Sequence, residues 1–241
     1  MRWWHFMFIF LCWQTADAQQ PMRLYLLPGQ GSDHRIYQNM RFPDNIDTVH
    51  LHYLPVEAEE TLEHYAARMV SQIDTTLPFS LMGVSLGGMI CVEMSDIIHP
   101  QQVFLLSSAS SGDEIPDFYH SFRKYPIYHN FNPNLIKYST FLLQPIYEPD
   151  RRTERKTCNS MIREKDADFM KSAVHMIVTW QRTEADNINT PIIQIHGTAD
   201  HTLPVENIRA DYYIDNGSHM MTLTMADKVS AIISAAITVK Q

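Results

Sequence analysis

The clearest capacity for chemistry lies in Gly83-Val84-Ser85-Leu86-Gly87, a G-x-S-x-G pentapeptide. A serine hydroxyl is a weak nucleophile and needs a base beside it, itself oriented by a third group. Two later segments supply both: His196-Gly197-Thr198-Ala199-Asp200 carries a carboxylate, and Asn216-Gly217-Ser218-His219 carries an imidazole. In chain order the three residues are Ser85, Asp200 and His219, acting as nucleophile, acid and base. Asp200 would hold one ring nitrogen of His219 while the other takes the Ser85 proton, which is the chemistry of acyl transfer through a covalent intermediate. The tetrahedral oxyanion of that reaction needs preorganised N–H donors. One candidate is the backbone N–H of Leu86, just after the serine. The second is that of Gln30 in Pro28-Gly29-Gln30-Gly31.

Other residues compete for these roles. His196 and His201 flank Asp200, but His196 ends a strand and reads as a residue that orders the acid loop. Asp211 and Asp215 are alternative acids that lack the Gly-x-x-Asp spacing of Asp200. His50 and His52 share a strand face, yet no third ligand at suitable spacing makes them a metal pair, so a structural role is expected. The loop at Gly29 and Gly31 lacks the G-x-x-x-x-G-K signature of a phosphate cradle. Neither a metal nor an organic cofactor is called for. Asn216-Gly-Ser218 matches a glycosylation sequon, but a glycan there would block His219, and the match reads as chance.

These residues need a frame. Arg23–Leu27, Asp47–Tyr53, Phe79–Met82, Val103–Leu106, Pro191–Ile195 and Tyr212–Ile214 read as strands. Between them, Leu62, Tyr65, Ala66, Met69, Val70 and Ile73 recur at helical spacing, and a helix is expected from Leu86 to Ile98. Val229, Ile233, Ala236 and Ile237 mark a closing helix. Alternation of strand and helix implies a parallel sheet covered on both faces, with strand C-termini gathered on one edge. From about 113 to 183 the alternation stops and only helical patterns appear, such as Phe169, Ala173, Met176, Ile177 and Trp180 on one face. A structureless loop of that length is improbable in a compact domain, so a helical cap is expected there. The expected organisation is a core in two halves, residues 19–112 and 184–241, around a cap at 113–183.

Composition agrees with a single enzyme-sized unit. The chain has 241 residues, 45% hydrophobic and 19% charged, which excludes a disordered tail or a disulfide-stapled miniprotein. A net charge of -8 argues against a nucleic-acid partner. Only 8 glycines occur, where average usage would give about 17, and seven of them sit in the four loops named above once Gly88, next to the pentapeptide, is counted with it. Arg2, the apolar stretch Trp3–Trp13 and Ala16-Asp17-Ala18 read as a signal peptide cleaved after Ala18, giving an exported protein, periplasmic or secreted. That stretch is too short to span a bilayer, and no integral membrane segment is expected in the mature chain. Cys91 and Cys158 then remain, and Cys91 falls on an apolar helical run that suits a buried free thiol.

Taken together these segments resemble the α/β-hydrolase superfamily. Pro28–Gly31 matches its oxyanion loop, Gly83–Gly87 its nucleophile elbow, Gly197–Asp200 its acid loop and Gly217–His219 its histidine loop. The resemblance covers about residues 22–240 and implies a three-layer α/β fold with a mostly parallel sheet of about six strands. It departs from the family in two ways. Little precedes the first strand, so the family's antiparallel N-terminal hairpin is expected to be missing. Pro28 also stands where a His is usual. A serine at position 85, rather than Asp, disfavours dehalogenase and epoxide-hydrolase chemistry. Residues 117–147 hold nine aromatics in 31 positions, a density suited to an apolar pocket under a lid or to the core of a small cap. The leading expectation is a serine hydrolase of carboxylic esters acting on a small molecule with an apolar acyl part. The alternatives are acyl transfer or C–C bond hydrolysis with the same residues, and a non-catalytic binding protein on this scaffold.

Overall fold

The computed structural model describes residues 22–147, 152–186 and 188–238. The export segment expected at residues 1–18 lies outside them. Six strands, β1 (Met22–Leu27), β2 (Ile46–His50), β3 (Phe79–Val84), β4 (Val103–Leu106), β5 (Ile192–Gly197) and β6 (Tyr212–Ile214), form one sheet in the order β2-β1-β3-β4-β5-β6. Every pairing is parallel, with Leu26 opposite Met82, Gly83 opposite Leu105 and Gly197 opposite Ile214.

The strands are nearly continuous apolar runs because both faces are covered. Their side chains alternate between two cores. Tyr25, Leu27, Phe79, Leu81, Val103 and Leu105 point to one face, where they meet α1 (Leu62–Met69) and α2 (Leu86–Ile98). Leu24, Leu26, Met82, Val84, Phe104 and Leu106 point to the other and meet α8 (Ala226–Thr238) through Val229, Ile233 and Ala236. Cys91 lies in the first core and Cys158 in the second, both buried. The sheet separates them, so no disulfide joins the pair.

Between β4 and β5 the chain forms α3 (Asp117–Lys124), α4 (Pro133–Tyr147), α5 (Arg155–Glu164) and α6 (Ala167–Thr179). Asp166 caps α6 by accepting from the Phe169 N–H at 2.7 Å. Phe169, Ala173, Met176, Ile177 and Trp180 of this segment join the core that α1 and α2 share. Cys158 and Met161 of α5 join the opposite core. The inserted helices are thus rooted in the main body at their C-terminal end. Among the aromatics expected to line a lid, Phe118, Tyr125, Phe131 and Tyr138 are exposed, while Tyr128 is buried. A short helix, α7 (Met221–Thr224), follows the histidine loop.

Candidate active site

β3 ends at Val84 and α2 begins at Leu86, leaving Ser85 alone to turn the chain. It does so at φ 53° and ψ -126°, a conformation that costs a side-chain-bearing residue of order 1–3 kcal/mol. The turn is possible because Gly83 and Gly87 face each other with no side chain between them. A Cβ on Gly83 would collide with the Gly87 backbone, and one on Gly87 with the carbonyls of Leu27 and Pro28. The strain is held from below: the Ser85 N–H donates to Leu106 O at 3.0 Å, and Ser108 Oγ donates to Ser85 O at 2.7 Å. Gln194 on β5 donates in turn to Ser108 O at 3.0 Å.

The loops after β5 and β6 bring the remaining two groups to this edge. His219 Nε2 lies 2.8 Å from Ser85 Oγ, and its Nδ1 lies 2.8 Å from Asp200 Oδ2. The other carboxylate oxygen, Oδ1, accepts from the N–H groups of Thr202 and Leu203, each at 2.9 Å. Asp200 is nearly fully buried. Burial alone would raise its pKa, but the neighbouring His219 and His196 and the backbone donors hold it below the usual carboxylate range. Asp200 therefore stays ionised, with both oxygens engaged. The two loops are locked together where Gly197 meets Gly217, so closely that a Cβ on Gly197 would overlap the Gly217 backbone. The Ala199 N–H donates to Gly217 O at 2.9 Å across the same contact.

The competing residues have other partners. His196 is buried inside β5, with Nε2 2.9 Å from Leu203 O and 3.5 Å from Asp200 Oδ2, in keeping with a role in shaping the acid loop. Burial lowers its pKa, favouring the neutral ring. Asp211 accepts from the Gln194 N–H at 2.8 Å and Asp215 from the Asn216 amide at 3.0 Å. His50 packs edge-on against His34 and also contacts Tyr37.

The Pro28–Gly31 loop lies directly against the elbow, and a Cβ on Gly29 would stand 3.3 Å from that of Ser85. The Gly29 N–H is already used, donating to Ser32 Oγ at 2.8 Å. Among the hydrogen bonds of the described residues, none uses the N–H of Gln30 or of Leu86.

What holds this loop was not visible in the sequence. Tyr53, expected at the end of a strand, leaves the sheet after His50, and its hydroxyl donates to Pro28 O at 2.5 Å. Tyr37 donates to Leu27 O at 2.8 Å, and the Gln30 amide donates to Met170 O of α6 at 2.7 Å. Lys165, between α5 and α6, donates to Ser32 O at 2.6 Å and lies over the rings of Tyr53 and Phe169. Burial pushes the Lys165 ammonium down to about 8, against a smaller opposing pull from Asp33. No sequence signal ties these residues together, because each contact crosses between distant segments.

No protein-family model matches the chain. It is 22% identical to the antimetabolite synthetase AmbE of Pseudomonas aeruginosa over 91% of its own length, but spans only 11% of that much longer protein. Among solved structures it is similar to a thermophilic esterase from Thermogutta terrifontis (TM-score 0.66, 16% identity, covering 90% of this chain and 89% of that one). It is also similar to the enol-lactonase from Burkholderia xenovorans (TM-score 0.67, 15% identity, covering 90% and 91%). Six parallel strands, helices on both faces and these structural likenesses establish that the chain has the α/β-hydrolase fold.

Proposed function

We propose that this chain is a serine hydrolase of carboxylic esters that works through Ser85, His219 and Asp200. The observation that carries the reading is the unbroken line Ser85 Oγ, His219 Nε2, His219 Nδ1, Asp200 Oδ2, with both contacts at 2.8 Å. His219 accepts the hydroxyl proton as Ser85 Oγ attacks the ester carbonyl carbon. The negative charge that develops on the carbonyl oxygen is received by the N–H groups of Leu86 and Gln30, aided by the N-terminus of α2. His219 then gives its proton to the departing alcohol oxygen, leaving an acyl group on Ser85. Water, deprotonated by His219, attacks that acyl carbon and restores the free serine. Asp200 stabilises the imidazolium at each stage without taking its proton. These steps call on no metal and no organic cofactor.

Two structural neighbours are described as an esterase and an enol-lactonase, names that fit ester chemistry. The substrate is proposed to be a small molecule with an apolar acyl part, reached under the inserted helices, which act as a cap. Their contact with the oxyanion loop through Gln30 and Met170 supports that role. Export after cleavage at Ala18 is part of the same proposal, and the intact mass of the mature protein tests it: a chain that keeps Met1 removes it. For the chemistry, a fluorophosphonate probe is expected to label Ser85 in the native protein and to fail in the His219→Ala variant. An unlabelled native Ser85 would remove the serine-hydrolase reading. A second reading is acyl transfer, in which an alcohol or amine takes the place of water at the acyl-serine. Adding alcohol and amine acceptors to an ester assay separates the two by product.

A further inference from the structure

We propose that Glu59, His129 and His175 form a binding site for a divalent transition-metal cation of the zinc class, joining the inserted helices to the loop before α1. The three residues come from separate segments: Glu59 from the loop after β2, His129 from the turn before α4, and His175 from α6. Their donor atoms all lie within 4.8 Å of one another. Glu59 Oε1 is 3.6 Å from His129 Nδ1, and Glu59 Oε2 is 3.8 Å from His175 Nε2. A tetrahedral zinc ion with bonds of about 2.0–2.1 Å holds its ligand atoms about 3.3 Å apart, so the two Glu59 contacts need to shorten by a few tenths of an ångström and no ligand pair by more than about 1.5 Å.

The surroundings suit a cation. His175 Nδ1 lies 3.0 Å from Tyr128 Oη. With that nitrogen carrying the proton and donating to the phenol oxygen, Nε2 presents its lone pair to the metal, the usual arrangement behind a metal-bound imidazole. The Tyr128 ring stacks on His129 with centroids 4.4 Å apart, fixing the orientation of the second ligand. A cavity of about 110 Å³ is lined by these residues together with Asp168 and Ser172, and it has room for water at the open coordination position. The Lys171 ammonium, which also borders the cavity, is held by the carbonyls of His129 and Phe131 at 2.7 and 3.0 Å. A neighbouring group, Glu57, Glu60 and His64, offers donors at similar spacing, but Arg68 already occupies both Glu60 oxygens at 2.8 Å each. That group is a salt-bridged cluster.

The test is zinc titration of the metal-stripped full chain, followed by melting temperature and calorimetry, with cobalt as a spectroscopic substitute. Zinc is expected to bind saturably and raise the melting temperature, and cobalt to give visible absorption bands. His129→Ala or His175→Ala should weaken zinc binding at least about a hundredfold, and Tyr128→Phe about tenfold. His50→Ala, which alters a histidine outside the site, should leave binding unchanged. Glu59→Gln changes an exposed side chain and keeps the test decisive if a histidine variant fails to fold. Absence of saturable zinc binding by the native protein, or binding that survives these ligand substitutions, overturns the proposal. None of these measurements depends on ester hydrolysis.

Discussion

The C-terminal edge of the sheet and the inserted helices follow opposite building rules. At the edge, backbone packs on backbone: Gly83 on Gly87, Gly197 on Gly217, with a strained Ser85 held between β4 and α2. A Cβ at Gly83, Gly87 or Gly197 would strike backbone at 2.1–2.3 Å. The inserted helices make their contacts with long side chains, and they leave Phe118, Tyr125, Leu135, Tyr138 and Leu142 exposed. There, one apolar residue can replace another provided the rooted face of α6 is kept. The difference teaches that placing Ser85, His219 and Asp200 to within tenths of an ångström is a task for the sheet, while the insertion supplies surface and a few ties to the Pro28–Gly31 loop.

The comparison can be broken or sharpened experimentally. The largest effects belong to the edge: Ser85→Ala should abolish ester turnover while leaving circular dichroism and melting unchanged. Asp200→Asn should lower kcat by about 10⁴-fold with the fold intact. A nearly silent Asp200→Asn would mean that another carboxylate serves as the acid. Gly197→Ala should cost at least about 2 kcal/mol in urea denaturation, because the Gly217 backbone cannot move aside. A neutral result would show the two loops to be looser than described.

Lys165 gives a subtler test of the insertion. Its folded-state pKa of about 8 lies below its ordinary value, so the unfolded chain holds more protons between the two. This residue therefore makes stability rise with pH from about 8 up to the ordinary lysine range of about 10.4. Lys165→Met should flatten that part of the stability–pH curve relative to the native protein, measured by urea denaturation at several pH values. The same variant loses the bond to Ser32 O, so turnover should fall modestly at every pH. The smallest effects are expected on the exposed helical face: Tyr138→Ser and Leu142→Ser should change stability by no more than about 0.5 kcal/mol.

The same contrast explains what could be read from the sequence. β4, β6 and α2 lie where their apolar patterns place them, because a doubly covered strand and a buried helix leave few alternatives. Ser85, Asp200 and His219 were legible since steric demand surrounds each with glycine in a recognisable order. Periodicity overran where tertiary contacts intervened. The helix expected through Ile73 gives way at Val70 to a tighter turn. The strand expected through Tyr53 stops at His50, releasing Tyr53 to hold Pro28. The ties from Lys165 and Gln30, and the cluster of Glu59, His129 and His175, left no local trace. Their partners are dozens of residues away, and no spacing rule joins them.

The join between Gly197 and Gly217 also bears on how the protein comes into being. Ser85 is translated early, and β3, β4 and α2 can gather around it while the rest of the chain is still unmade. Asp200 and His219 emerge more than a hundred residues later. Until then the Ser85 hydroxyl lacks the imidazole that stands 2.8 Å from it in the folded chain. The hydrogen-bonded line of Ser85, His219 and Asp200 is therefore complete only when the last two loops meet each other.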